Sequence, residues 1–250
     1  MGCIVAIAGG DNGWGDSKYE TGPADKTIIE LSQKKTPRLL FIGFAAKDPE
    51  EYYKTICKIF AKYNCQFEHL NVDACKNGYA ETMIKSADII YVGGGNTYKL
   101  MRNIKKYKID SLLTETYYSR DVVLCGVSAG AICWCKYGNS ATRYKGDVCT
   151  PIRIKGINLV NVLYCPHSTR DFFRSQTTKD MLKRTPRLIG LEMDFSAIII
   201  DENQFCVIPL NEKAVAKKKY WVGGKYYSKN LQYQKKLDVK LLYKLDGKEE

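Results

Sequence analysis

Ser128 stands in Gly126-Val127-Ser128-Ala129-Gly130, directly after the apolar run Val122-Val123-Leu124-Cys125 and directly before Ala131-Ile132. The form is Gly-x-Ser-x-Gly: a strand, a tight turn and a helix, with the serine hydroxyl raised at the carboxyl end of a sheet. Small neighbours are required because the backbone on either side of such a serine runs close to other backbone. The amide of Ala129 opens the helix, where the N-terminal dipole favours a developing negative charge. This is the equipment of a nucleophile in acyl transfer. The same five residues also fit a plain strand-to-helix turn, so the rest of the chain decides between the two.

A second group of residues has matching chemistry. The apolar run Asp88-Ile89-Ile90-Tyr91-Val92 leads straight into Gly93-Gly94-Gly95-Asn96-Thr97, and a helix is expected from Tyr98 to Tyr107. Glycines at a strand's carboxyl end expose backbone amides, and the helix adds its dipole, so the loop can hold an anion or an oxyanion. The Gly-Lys-Ser/Thr ending of a phosphate loop is missing. Ligands of open parallel sheets bind between the carboxyl-end loops of adjacent strands. The amides of Gly94 and Gly95 are therefore expected to face Ser128 and, with Ala129, to form an oxyanion site. A general base is also needed, and the chain has 2 histidines. His69, in the alternating run Gln66 to Leu70, reads as a strand surface residue. His167 follows the apolar run Leu159 to Cys165 and Pro166, at a strand end, where it can reach a hydroxyl on a neighbouring strand.

The elements that must position these groups alternate between strand-length apolar runs and helical segments. Cys3 to Ala8 is a strand, closed by the glycine-rich loop Gly9 to Gly15, which has no Gly-x-Gly-x-x-Gly fingerprint and so argues against a dinucleotide cofactor. Helix Ala24 to Lys35, strand Arg38 to Phe44 and a helix opened by Pro49 follow, the last with Tyr52, Tyr53, Ile56, Ile59, Phe60 and Tyr63 at buried-face spacing. Strand Gln66 to Val72 and helices Ala80 to Ser86 and Asp110 to Tyr118 complete the first half. After His167 a helix is expected to Lys183. Ser196 to Ile200, Gln204 to Pro209 and the segment around Gly223-Gly224 read as hairpins at a sheet edge, with Val239 to Leu245 as a last short strand. Without a linker or repeat, residues 1–250 are expected to form one α/β domain.

Composition narrows the function classes. Hydrophobic residues make up 45% of the 250, enough for a sizeable core. The start, Met1 to Ala8, has no basic region of a signal peptide, and no run reaches the roughly 18 apolar residues of a membrane span. The 10 cysteines are scattered, several inside apolar runs, and form no paired zinc-binding pattern. Reduced thiols of a cytoplasmic protein are the expectation, with neither metal nor cofactor. The net charge of +12 raises the question of a nucleic-acid or membrane partner. The lysines are spread along the chain without a nucleic-acid motif, so neither partner is expected, and the excess reads as a solvated surface that also favours acidic substrates.

The pairing of Tyr91-Val92-Gly93-Gly94-Gly95-Asn96-Thr97 with Gly126-Val127-Ser128-Ala129-Gly130-Ala131 resembles the peptidase E (aspartyl dipeptidase) family, which is related to cyanophycinase. Further matching stretches are Glu20-Thr21, Cys165-Pro166-His167, Gly190-Leu191-Glu192 and Ser196-Ala197-Ile198, so the resemblance spans most of the chain. It implies a flavodoxin-like three-layer α/β sandwich with a mostly parallel central sheet, similar to class I glutamine amidotransferases. It also implies a serine peptidase with a Ser-His-acid relay that cleaves short peptides bearing an N-terminal aspartate.

On this resemblance the catalytic set is Ser128, His167 and an acid, which must be buried beside the imidazole. Glu192 best matches the family's acid; Asp194 takes the place if the strand is counted back from Ser196-Ala197-Ile198, and Asp147 is a weaker choice. Two stretches depart from the pattern: Asn139-Ser140-Ala141-Thr142-Arg143 lacks the family's acidic Ser-Asp-Ser, and Ser168 replaces an aromatic after the histidine. Asn96 and Arg170, with Arg143, Arg153 and Arg174, are candidates for contacting substrate, since an arginine fork can bind a carboxylate bidentately. The partner is expected to be a short peptide, and the protein a monomer or a homodimer. The competing readings are another acyl hydrolase on the same site, such as an esterase or an isoaspartyl or cyanophycin-type peptidase, and a catalytically silent small-molecule binding protein.

Overall fold

The computed structural model describes residues 1–10, 13, 18–141, 144–145, 148–169 and 172–246. In chain order the first half contains β1 (Cys3–Ile7), α1 (Gly22–Ser32), β2 (Arg38–Ile42), α2 (Pro49–Phe60), β3 (Gln66–Leu70), α3 (Val72–Lys76), α4 (Ala80–Ser86), β4 (Ile89–Val92), α5 (Thr97–Lys106), α6 (Ile109–Ser119) and β5 (Val123–Val127). The second half contains α7 (Ala129–Ile132), β6 (Cys135–Ser140), β7 (Tyr144–Lys145), β8 (Val148–Cys149), β9 (Ile152–Lys155), β10 (Val160–Pro166), α8 (Phe172–Lys183), β11 (Ile189–Asp194), β12 (Ser196–Ile200), β13 (Gln204–Pro209), β14 (Val215–Val222), β15 (Lys225–Asn230), β16 (Leu237–Asp238) and α9 (Val239–Tyr243).

An eight-stranded sheet has the order β16-β13-β12-β1-β5-β4-β2-β3. Its pairings from β1 through β3 are parallel, and β12, β13 and β16 add antiparallel strands at one edge. The parallel strands are apolar almost throughout, as strands covered on both faces must be. On one face, α1 and α2 contribute Ala24, Ile28, Tyr52, Ile56 and Phe60 to a core with Val5, Phe41 and Tyr91. Pro49 sits in the first turn of α2 and Asp48 caps it, its side chain accepting from the Glu51 amide. This α/β architecture, with a large and mostly parallel sheet flanked by helices, is the one the sequence implies.

A second sheet was not legible in the sequence: β15-β14-β11-β10-β6-β9. It shares a core with the other face of the first sheet, where Ile4, Leu124, Trp134, Tyr164, Leu191 and Tyr220 pack together with α4, α5 and α6. The Tyr164 hydroxyl donates to the Ala6 carbonyl at 3.0 Å, tying β10 to β1 across that core. The outer face of the second sheet packs on α8 through Leu163, Met181, Leu182 and Leu188. The expected hairpins are therefore divided, β12–β13 extending the first sheet and β14–β15 the second.

Two readings of the chain change. Residues Val239 to Tyr243 form the short helix α9, not a strand: Val239, Leu242 and Leu245 pack on the core, a spacing of three that suits a helical turn. His69 is not a surface residue. Its side chain is 7% exposed, stacked under Tyr53 at 4.8 Å between ring centres, with Nδ1 3.3 Å from Glu50.

Candidate active site

Strand register explains how distant residues converge. In the β1–β5 pairing Ile7 lies opposite Val127, and in the β4–β5 pairing Val92 lies opposite Gly126. One or two residues further, Ala8, Ser128 and Gly94 leave the sheet side by side. In the second sheet Pro166 lies opposite Met193, so the next residues, His167 and Asp194, are level with each other. All of these are carboxyl ends of strands, where a parallel sheet presents its ligands.

Ser128 has φ 55° and ψ −108°, a backbone conformation unusual for a residue with a side chain. It is held there by packing: its amide donates to the Ile7 carbonyl at 2.9 Å, and its carbonyl starts the first turn of α7 by accepting from Ala131 and Ile132. That turn lies directly on the sheet. A Cβ on Gly130 would overlap the Val92 carbonyl, and one on Gly126 would stand 2.6 Å from the Gly130 carbonyl oxygen. Both glycines of the Gly-x-Ser-x-Gly motif thus answer to backbone approach, and the turn pushes the half-buried Ser128 hydroxyl outward.

The His167 Nε2 lies 2.6 Å from the Ser128 Oγ. Behind His167 stands Asp194, fully buried. A Cβ on Gly9 would collide with Asp194 Oδ1 and stand 3.3 Å from His167 Nδ1, so the carboxylate and the imidazole flank the same point beside β1. Asp194 is fixed by donors on both oxygens: the Thr169 hydroxyl at 2.6 Å on Oδ2 and the Phe195 amide at 3.1 Å on Oδ1.

Glu192 lies elsewhere. It is level with Cys165, two residue pairs before His167, and its buried carboxylate is paired with Lys219 of β14 and accepts from the Ser175 hydroxyl of α8 at 3.3 Å. The Lys219 ammonium also donates to Ser175 at 2.7 Å. The carboxylate preferred on sequence is therefore engaged with a lysine, and the alternative, Asp194, is the one brought to His167. The physical reason is register: both side chains leave the same face of β11, and two residues, about 6.6 Å, separate the histidine-facing position from the lysine-facing one.

The glycine loop reaches the serine as expected: a Cβ on Gly94 would lie 3.5 Å from the Ser128 Cβ. Of its amides, that of Gly94 donates to the Tyr52 hydroxyl at 3.3 Å, whereas among the described residues that of Gly95 has no acceptor. The Ala129 amide opens α7, where no intrahelical acceptor is available to it. Asn96 is at the lip of the site and serves as the cap of α5, its Oδ1 accepting from the Lys99 amide at 2.9 Å. Arg174 is buried and donates to the Pro166 and Asn139 carbonyls at 2.8 and 3.3 Å, bracing the segment that carries His167. Arg153 stacks on Tyr137 and donates to Thr185. Ser168 has a buried hydroxyl without a partner among the described residues. Arg143, Asp147 and Arg170 lie outside the described residues.

Competing nucleophiles are weakened by burial. The Cys165 thiol, two residues before His167, is pushed up to about 11 by desolvation, partly offset by Thr178 and Arg174, and burial raises Cys125, Cys133 and Cys135 as well. Among the described residues no group of three His, Cys, Asp or Glu side chains is arranged to hold a metal ion, and no helix is long and apolar enough to cross a membrane. Sequence reasoning had assigned no role to Tyr52, Thr169 or Gly9. Gly9 opens the glycine-rich loop after β1, which was the one signal available; the other two are recognisable only from their contacts.

Known proteins share this arrangement of chain. An uncharacterised peptidase of Bacillus subtilis, YgaJ, is 31% identical over 164 residues, 66% of this chain and 67% of its own. Peptidase E of Nostoc is 25% identical over 180 residues, 71% of this chain and 70% of its own. The crystal structure of a peptidase from an acI-B1 Actinobacterium superposes with a TM-score of 0.67 at 19% identity, covering 95% of this chain and 97% of its own, which establishes the common fold. The model of peptidase family S51 matches residues 4–208, and this chain, a peptidase of the hydrolase class, belongs to that family.

Proposed function

We propose that the protein is a serine peptidase that removes an N-terminal residue from short peptides through an acyl-enzyme, with Ser128 as nucleophile, His167 as general base and Asp194 as the acid. The observation that carries this reading is the 2.6 Å approach of His167 Nε2 to the Oγ of a serine held in a strained turn. His167 takes the Ser128 proton as Oγ attacks the scissile carbonyl. The resulting oxyanion receives the amides of Gly95 and Ala129, each such donor being worth about 10²–10³-fold in rate. His167 then passes its proton to the departing amine nitrogen, which leaves as the C–N bond breaks. Water attacks the acyl-enzyme, giving its proton to His167, and Ser128 recovers that proton as the acid product departs. Asp194 sets the imidazole tautomer and offsets its transient positive charge.

The resemblance to peptidase E supports dipeptides with an N-terminal aspartate as substrates, and the excess of 12 positive charges favours capture of acidic peptides. Ala141 and Ser168 are where the sequence leaves the peptidase E pattern. Among the described residues nine thiols, buried or half-buried, are free of disulfides, which fits a reducing compartment such as the cytoplasm. Hydrolysis of a panel of Asp-X, isoaspartyl-X and neutral dipeptides tests the substrate class: Asp-X is expected to be cleaved fastest, and preference for another arm would reassign it. Ser128→Ala is expected to fold normally and lose at least about 10³-fold in kcat. An active Ser128→Ala protein would end the proposal.

A further inference from the structure

The geometry points to Tyr52 of α2 as a positioning residue for the oxyanion-binding loop, an inference that rests on the proposed acyl-transfer reading of Ser128. Four consecutive amides run through the loop between β4 and α5, and three of them are anchored to the segment from β2 to α2. Gly93 donates to the Ile42 carbonyl at 3.0 Å, Gly94 to the Tyr52 hydroxyl at 3.3 Å and Asn96 to the Ala45 carbonyl at 3.0 Å. The Lys99 ammonium adds a fourth tie, to the Ala46 carbonyl at 2.7 Å. Among the described residues the Gly95 amide alone of the four has no acceptor. The loop thus reads as a device in which the neighbours of one donor are tied down so that this donor keeps a fixed direction.

Tyr52 differs from the other anchors because it is a side chain. The others are carbonyls of a backbone that the sheet and α2 already define. The Tyr52 ring is 2% exposed and meets Phe41 edge to face at 5.1 Å, and a Cβ on Gly93 would touch both rings. The ring is therefore rigid, and its hydroxyl is a fixed acceptor that sets the plane of the peptide entering Gly94. Gly95, with φ +132°, takes a conformation that residues with side chains avoid, and packs on Ala45. One fixed peptide plane on its N-terminal side and one anchored amide, that of Asn96, on its C-terminal side leave the Gly95 N–H little freedom. An oxyanion donor is effective when it needs no reorganisation at the moment of reaction, so removing the hydroxyl should act on the transition state and leave substrate binding alone.

The test is Tyr52→Phe, which keeps the ring and its packing. Ser128 is counted in wild type and variant by saturating labelling with a fluorophosphonate, and kcat and KM for the best-cleaved dipeptide are expressed per labelled site. Melting temperature is recorded alongside. The expected result is a fall of about tenfold or more in kcat per labelled serine, with KM unchanged within about twofold and labelled fraction near that of wild type. A purely structural role would lower the melting temperature and the labelled fraction but leave kcat per site unchanged, and that outcome overturns the inference. Failure of the underlying acyl-transfer reading shows in wild type instead, as absence of labelling.

Discussion

Two carboxylates leave the same face of β11 two residues apart and meet opposite fates. Glu192 is buried against a lysine and a serine, Lys219 and Ser175, which join β14, β11 and α8. Asp194 is buried and accepts from the Thr169 hydroxyl and the Phe195 amide, beside the imidazole of His167. The first carboxylate is neutralised by a fixed cation, and its charge is consumed in holding the second sheet to its helix. The second stands beside the imidazole of His167. Burial is the same for both, and the neighbours set them apart: a lysine for Glu192, the imidazole of His167 for Asp194.

The comparison breaks most visibly at Asp194. Asp194→Asn is expected to lower kcat by about 10³–10⁴-fold without loss of fold, because the amide cannot stabilise the imidazolium and can select the wrong tautomer. A steady-state assay on the best-cleaved dipeptide reads this directly, and near-normal turnover would sever Asp194 from the chemistry. Gly9→Ala approaches the same pair from β1. Its methyl group would collide with Asp194 Oδ1 and crowd His167 Nδ1, so a fall of about 10²-fold in kcat is expected.

Glu192→Gln should separate the two sites in the opposite way. It leaves Lys219 buried without its counter-charge, an error that costs about 3–5 kcal/mol of stability, while kcat at temperatures where the variant is folded stays within about tenfold of wild type. Denaturant melts together with the same assay check both halves. Glu192→Leu combined with Lys219→Met is expected to regain most of that stability, since an apolar pair needs no compensation.

The smallest effect concerns a third buried carboxylate. Asp25 of α1 accepts from Thr21 and Tyr19 at 2.8 and 2.9 Å, yet burial raises it to about 6, against the opposing pull of those hydrogen bonds and of Lys62. A carboxyl with a raised folded value binds its proton more tightly when folded, so its contribution is full below its ordinary value and is lost as pH rises through about 6. Asp25→Asn is therefore expected to raise the melting temperature by a few degrees at pH 7 and to make little difference near pH 4. An unchanged pH profile of stability would contradict this.

Much of this molecule is local enough to be read in the chain. The glycines around Ser128 encode backbone approach, the strand-end position of His167 follows from Pro166 and the apolar run before it, and the order of strands and helices up to β5, apart from the short α3, follows periodicity. The acid does not, because alternation puts Glu192 and Asp194 on one face and only the β10–β11 register, with Lys219 diagonal to Glu192 across β14, tells them apart. The second sheet escaped for the same reason, since β6, β10, β11 and β14 are paired across long stretches of chain. His69 was misread because the ring that covers it, Tyr53, comes from a different element, α2. The Gly95 amide, without an acceptor among the described residues, and its Tyr52-anchored neighbour are likewise products of tertiary contact.

The most direct measurement is the rate at which a fluorophosphonate modifies Ser128 in wild type, Asp194→Asn and Glu192→Gln, each confirmed folded. The relay described above predicts rapid labelling in wild type, labelling slowed by about 10³-fold in Asp194→Asn, and a rate within about tenfold of wild type in Glu192→Gln. Rapid labelling of Asp194→Asn with slow labelling of Glu192→Gln would contradict it and return the acid's role to Glu192.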